Sequence, residues 1–401
     1  MIKSLHVLLH QKRIGLITLL SGGNTLFVFD ESYSGDSHQL TLSQSFISQT
    51  GQLITHRRPI RTRLEPFFSN LLPEGYLREY LALKNNVNPR KEFELIEALG
   101  EDLPGAVQIQ PSQEPIDYEV LREGQKPLSL KEVSYHFSLA GIQLKFSALM
   151  KKGGGLTIPT SGVGGDWIVK LPSVNFFQMP ENEFAMMTLA KSIGIQVPDF
   201  YLLPLEKIKG LPSFGLLQGN QAIVVKRFDR GPHRTRVHME DFAQVFGLYP
   251  EQKYEHVSYT NMANMIWTLC GEDGLSEYIR RLTLCILIGN GDMHLKNWSF
   301  LYPDGRKPVL SPAYDLLSTI PYLPEDQLAL TFVNTKKMQL CNLSLFERFA
   351  KKAKVPKHLV CETMKQTAEQ TRKKWGELKA DFNLTPQLIT AIDAHMKAIS
   401  L

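Results

Sequence analysis

Gly289-Asn290-Gly291-Asp292-Met293-His294-Leu295-Lys296-Asn297 is the stretch on which the reading of this chain turns. It follows an apolar helical pattern marked by Tyr278, Leu282, Cys285 and Ile286. It precedes a strand-turn-strand pattern over 298–310, whose turn carries Asp304-Gly305. Asp292 and Asn297 stand five positions apart, the D-x-x-x-x-N spacing of phosphoryl-transfer loops. In such a loop the Asp accepts or orients the proton of the attacking hydroxyl, and the Asn ligates Mg²⁺. A second metal-binding carboxylate is then expected across a short hairpin, and Asp315 in Ser311-Pro312-Ala313-Tyr314-Asp315-Leu316 stands there. Taken singly, Asp292 reads as a turn residue and Asp315 as a helix N-cap. The order helix, D-x-x-x-x-N, hairpin, Asp favours phosphotransfer.

Phosphotransfer also needs a cation on the phosphates. Lys170 ends the apolar strand pattern Trp167-Ile168-Val169-Lys170, ahead of a helical pattern over 180–193 that contains Glu183. A strand lysine and a helix glutamate form the supporting ion pair of protein kinases. Ser138-Leu139-Ala140-Gly141-Ile142-Gln143-Leu144-Lys145 has a single glycine, too few for the usual phosphate-cradling patterns. From its residues alone it is no stronger a candidate than the glycine clusters that follow it.

Outward from these segments, alternating stretches at 5–9, 14–20 and 25–29 read as strands, with a turn at 21–24. The pattern becomes helical over 64–83 and again over 91–99, where Gly100 stops it. A polar, proline-containing stretch over 111–131 reads as a linker or a strand-poor bridge. Further strands are expected at 137–150, 155–159, 167–171 and 223–228, and helices dominate beyond Met239. Sheet-rich first and helix-rich second outlines a two-lobed, nucleotide-dependent transferase.

Composition narrows the field. A chain of 401 residues is long enough for two or three cores. A hydrophobic share of 43% with 21% charged residues is that of an ordinary globular protein. The net charge of +5 suits an acidic ligand such as a nucleotide and does not demand nucleic acid. Cys270, Cys285, Cys341 and Cys361 form no CxxC pair and read as small buried hydrophobes. The apolar N-terminus is interrupted at His6, His10, Gln11, Lys12 and Arg13, with no signal-peptide cleavage site, and no apolar run is long enough to span a bilayer. A cytoplasmic protein is expected.

Seven segments together resemble the HipA family of bacterial toxin kinases. Phe67-Phe68-Ser69-Asn70-Leu71-Leu72-Pro73 is similar to the F-F-x-N-L-L-P segment of its N-terminal subdomain. Gly100 with Gly105-Ala106-Val107 resembles the turn and strand that follow, and Ser138 to Lys145 the S-x-A-G-x-Q-x-K loop. Ile168–Pro172, Arg227-Phe228-Asp229-Arg230, the helix 244–248 and the Asp292 loop complete the set. The resemblance implies an α+β, two-lobed protein-kinase-like fold. Residues 1–110 would be an added N-terminal subdomain, 111–235 the sheet-rich kinase lobe and 236–401 the helical lobe. It implies ATP and Mg²⁺, with Asp292 as catalytic base, Asn297 and Asp315 on the metal, and Lys170 on the phosphates. Ala140, Gly141, Ile142, Gln143, Leu144 and Lys145 would cover the nucleotide. Lys226, Arg227 and Phe228 would form the adenine hinge, the main chain of Lys226 and Phe228 binding the base. His294, Lys296 and Tyr314 would make the remaining nucleotide contacts, and Ser138 would be autophosphorylated. Lys226 departs from the acid familiar at that place.

The family further implies a protein substrate of the aminoacyl-tRNA synthetase class, a HipB-like antitoxin, and DNA contact only through that antitoxin. Two other readings remain open. Gly291-Asp292-Met293-His294-Leu295-Lys296-Asn297 also fits the G-D-x-H-x-x-N pattern of aminoglycoside and choline kinases, although those have no need of the N-terminal subdomain. The chain could also be a regulatory binding protein with a silenced kinase fold, against which Lys170, Asp292, Asn297 and Asp315 stand intact.

Overall fold

Alternating residues of the first strands face a single apolar core, and this sets the first sheet. A computed structural model describes residues 3–113, 145–150, 156–158, 164–211 and 217–401. Ser138 and Ala140 to Leu144 lie outside the described residues, as does most of the expected linker. Contacts divide the chain into two units. The first comprises Met1–Phe137, Asp229–Lys253 and Leu301–Lys307, and the second Ser138–Phe228, Tyr254–Phe300 and Pro308–Leu401.

In the first unit, β1 (Lys3–Leu9), β2 (Lys12–Leu19), β3 (Asn24–Phe29), β4 (Ile60–Arg61) and β5 (Val107–Pro111) form an antiparallel sheet in the order β4-β3-β2-β1-β5. Leu5, Val7 and Leu9 of β1 are fully buried, the period-two signature of a sheet with one face on a core. Phe67 and Phe68 fill that core, Phe68 edge-on to Phe27 with ring centroids 4.8 Å apart.

The helix expected over 64–83 is two. Pro66–Ser69 and Gly75–Lys84 are separated by a loop. Pro73 bars Leu72 from helical geometry, and Asn70 sends its side-chain amide to the carbonyls of Pro66 (2.8 Å) and Leu248 (2.7 Å). The apolar periodicity runs through the break because the first helix (Phe67, Phe68), the loop (Leu71, Leu72) and the second helix (Ala82) all send side chains into the same core. Glu92–Leu99 follows as expected.

In the second unit, β6 (Lys145–Met150), β7 (Leu156–Thr157), β8 (Trp167–Lys170), β9 (Phe200–Pro204), β10 (Ile208–Lys209) and β11 (Gln221–Lys226) form a sheet in the order β10-β7-β6-β8-β11-β9. The central strands β6, β8 and β11 are antiparallel, and only β10 joins in parallel, to β7. The helix Met179–Ser192 packs on β11 and β9. Helices Tyr259–Ile288, Leu343–Ala353, Lys357–Leu378 and Pro386–Ala398 make up most of the remainder. No helix among the described residues is long and apolar enough to cross a membrane.

Candidate active site

The register of β6 against β8 pairs Lys145 with Lys170, so two lysines lie side by side on adjacent strands. Like charges opposite each other are unfavourable unless an anion lies between them. Asp315 supplies it. Its carboxylate accepts from Lys145 Nζ at 2.7 Å and from Lys170 Nζ, which also pairs with Glu183 of the helix Met179–Ser192. Lys170 is only 4% exposed and Glu183 2%, so these are buried charges that stand only because they are mutually satisfied.

The electrostatics follow. Burial alone would push the Lys170 ammonium down, but Asp315 and Glu183 more than offset it and raise it above the ordinary lysine value. Burial alone would raise the Asp315 carboxyl, yet Lys145 and Lys170 keep it well below the usual carboxylate range. For Glu183 burial prevails over Lys170, which it shares with Asp315, and its carboxyl is pushed up. The main chain of Asp315 is left-handed, with φ of 54°, a strained setting that aspartate tolerates better than most residues.

The loop of Asp292 begins where Gly289 ends the long helix in left-handed geometry, φ 67°. A side chain there would meet Ile320 Cγ1 at 2.2 Å, and one at Gly291 would meet the Asp326 carboxylate at 2.1 Å. Both glycines are therefore required for the loop to lie against the segment that follows Asp315. Hydrogen bonds fix that contact. Thr319 donates its N–H to Gly289 O at 2.9 Å, and its hydroxyl oxygen accepts from the Gly291 N–H at 2.9 Å. Asn290 bridges the two aspartates: its Oδ1 accepts from the Asp292 N–H (3.1 Å) and its amide donates to Asp315 O (3.5 Å).

Asn297 donates its Nδ2 to Asp292 O at 2.8 Å, which leaves its Oδ1 directed away from that bond. Asp292 is 8% exposed, and its Oδ1 accepts from the Tyr254 hydroxyl at 2.6 Å. His294, 2% exposed, packs edge-on against the Tyr254 ring at 5.0 Å. Lys296 contributes its carbonyl, which accepts from Tyr314 OH at 2.9 Å. The Tyr314 ring lies 5.5 Å from that of Phe228.

Lys226, expected at the hinge with Arg227 and Phe228, ends β11. The Lys226 main-chain N–H donates to Asp199 O (2.8 Å), and the Arg227 N–H to Asp166 O (2.9 Å). The Lys226 side chain is half exposed and 3.4 Å from the Asp199 carboxylate, away from the lysine pair.

The fold thus gathers Lys145, Lys170, Glu183 and Asp315 into one charged cluster, with Asp292 and Asn297 on the loop joined to it by Asn290. Tyr254, Asn290 and Thr319 escaped the sequence reading. Asn290 lies inside the motif, whereas nothing local marks Tyr254 or Thr319. One carboxylate, Asp315, and one amide, Asn297, offer the hard-oxygen chemistry that Mg²⁺ takes together with phosphate oxygens. Among the described residues, no cluster of three His, Cys, Asp or Glu side chains is built to hold a metal alone.

Residues 5–110 match the family described as HipA N-terminal domain, and residues 137–375 that described as HipA-like C-terminal domain. A Sinorhizobium fredii protein named as a kinase, Y4dM, is 47% identical, the alignment covering 99% of this chain and 97% of that one. The serine/threonine-protein kinase toxin HipA of Shewanella oneidensis is 27% identical over 67% of this chain and 66% of its own. Among solved structures, HipA of Shewanella oneidensis, in complex with HipB and operator DNA, superposes with a TM-score of 0.74 at 22% identity. It covers 98% of this chain and 95% of that one. The fold is accordingly α+β and of the two-lobed protein-kinase-like kind.

Proposed function

The chain belongs to the HipA kinase family, and from that premise we propose that it transfers the γ-phosphate of ATP to a serine or threonine of a cellular protein. The observation that carries this reading is the buried Lys170 paired at once with Glu183 and Asp315. A phosphate-binding lysine must be held charged and aimed, and the two carboxylates do both.

In the reading proposed here, Lys145 and Lys170 take the phosphates, and Asp315 and Asn297 hold Mg²⁺. When bound, the ion supplies positive charge at the phosphate oxygens. Asp292 receives the acceptor's proton as the new oxygen–phosphorus bond forms and the bond to ADP breaks. The Lys226 N–H is engaged by Asp199, so adenine recognition at that residue falls to its carbonyl, with the Phe228 N–H beside it. Phe228, Tyr314, His294 and Lys296 complete the nucleotide contacts, and Ala140 to Leu144 cover them. Residues 1–110, 111–235 and 236–401 serve as added subdomain, nucleotide-covering lobe and helical lobe.

The family supports a growth-inhibiting toxin acting in the cytoplasm on an aminoacyl-tRNA synthetase. It is held in check by a HipB-like antitoxin, through which alone it meets DNA. The direct test is incubation with labelled ATP and Mg²⁺ in a lysate. A labelled protein band is expected, lost on chelation, whereas label on aminoglycosides or choline alone would overturn protein specificity.

Two outcomes follow. Asn297→Ala and Asp315→Ala should each weaken Mg²⁺-dependent nucleotide binding, and the double change should cost less than the sum, because ligands of one ion act as a unit. Strict additivity by calorimetry would mean that they share no ion. Phosphoserine at 138 would carry roughly −1.5 to −2 charges at the head of the loop that covers ATP, repelling the triphosphate. Ser138→Asp is therefore expected to bind ATP weakly, and Ser138→Ala to escape self-inactivation during incubation with Mg-ATP. Intact mass and activity read on the same samples decide this, and a protein phosphorylated at Ser138 with full activity would end the idea.

A further inference from the structure

Tyr254 lies 38 residues before Asp292 in the chain, yet its hydroxyl donates to Asp292 Oδ1 at 2.6 Å. The same ring packs edge-on against His294, two residues beyond Asp292, with centroids 5.0 Å apart and planes at 86°. One side chain thus grips the loop at two points, with the ring fixing the hydroxyl and the hydroxyl fixing the carboxylate. Tyr254 is partly buried and Asp292 is 8% exposed, so the bond to the charged oxygen is poorly screened by water. A carboxylate can rotate about its side-chain bonds, and a hydrogen bond donated to its charged oxygen restrains that rotation. Asn290 and Asn297 hold only the Asp292 main chain, at its N–H and its carbonyl.

We propose that Tyr254 is a positioning residue for phosphotransfer. It sets the rotation of the Asp292 carboxylate so that an acceptor hydroxyl meets it in line with the phosphate. This role rests on the kinase reading above and adds a residue to it that neither the D-x-x-x-x-N loop nor the strand lysine supplies. A base misplaced by a fraction of an ångström loses rate without losing substrate affinity.

Tyr254→Phe keeps the ring against His294 and removes only the hydroxyl. The expected result is a kcat lower by about ten- to a hundredfold, the scale of losing one hydrogen bond to a charged group. The Kd for Mg-ATP and the KM for the protein acceptor should stay within about twofold. The deciding measurement is the cycle with Asp292→Asn. If Tyr254 acts through Asp292, adding Tyr254→Phe to Asp292→Asn lowers the residual rate no further. Losses that multiply in the double variant would make Tyr254 a structural residue and overturn the role. So would an unchanged Tyr254→Phe, or a faster one, which would put the hydroxyl in the acceptor's place. A wild-type protein without phosphotransfer, or a fully active Asp292→Asn, overturns the kinase reading and this role with it. An active wild type, a crippled Asp292→Asn and an unaffected Tyr254→Phe overturn this role alone.

Discussion

In a folded Asp292→Asn protein, kcat for phosphotransfer is expected to fall by about two to four orders of magnitude, the usual scale for losing a general base. Mg-ATP affinity should stay close to that of the unaltered protein. The geometry makes the substitution unusually clean. The bonds from Asn290 and Asn297 reach the main chain of residue 292 and do not depend on its side chain. The Tyr254 hydroxyl can donate to an amide oxygen as it does to Asp292 Oδ1. What disappears is the negative charge and the capacity to take a proton. Lys145 and Lys170 each pair with Asp315, and neither relies on the Asp292 carboxylate among the described residues, so the cations offered to the phosphates remain. Initial rates with labelled ATP, beside calorimetric binding of Mg-ATP to the same preparation, separate the two quantities. Near-normal turnover in a folded Asp292→Asn protein would remove Asp292 from the chemistry.

The parts of the site that could be read from the sequence are those whose logic is local. Asp292 and Asn297 share one loop, and Asp315 lies one hairpin beyond, so spacing alone brings them to notice. Lys170 and Glu183 were legible through a strand followed by a helix. The pairing of Lys145 with Asp315 spans 170 positions and depends on the register of β6 on β8, which no local pattern encodes. Tyr254 is hidden for the same reason, a tyrosine in a polar stretch that only the fold carries to Asp292. Among the elements, strands β1 to β3 were clear because one face of each is buried. The break at Pro73 was masked by a core that takes side chains from the loop as readily as from the helices beside it. Glu240 is the extreme case, because in His238-Met239-Glu240-Asp241 a fully buried acid reads like any surface one.

That acid carries the second large effect, on stability. Glu240 is 0% exposed and accepts hydrogen bonds from Ser43 Oγ, the Gln44 N–H (3.0 Å) and the Tyr302 hydroxyl. Burial pushes its carboxyl up to about 7, with Asp241 adding to the rise and the three donors pulling against it. Two residues earlier, His238 is also 0% exposed. Its Nε2 faces the Leu42 carbonyl at 2.7 Å and must carry the proton there, since a carbonyl can only accept. Its Nδ1 has no hydrogen-bond partner among the described residues, and burial, with His10 nearby, pushes the imidazole down to about 4. The two shifts act on stability with opposite signs. The Glu240 contribution is full below the unfolded carboxyl's 4.5 and is lost as pH rises through about 7. The His238 contribution is full above the unfolded imidazole's 6.5 and is lost as pH falls through about 4. Over the interval they share, the slopes oppose each other, and the unaltered protein should show little pH dependence from this strand. Glu240→Gln removes one slope and keeps the length and an acceptor oxygen. The difference in unfolding free energy, Glu240→Gln minus wild type, should therefore grow with pH by up to about 3 kcal/mol across the Glu240 window. Urea denaturation of both proteins from acid to neutral pH measures it, and groups common to both cancel in the difference. A difference that stays level across that range would mean that Glu240 titrates in the folded protein as it does in the unfolded chain, and that its burial is relieved by water.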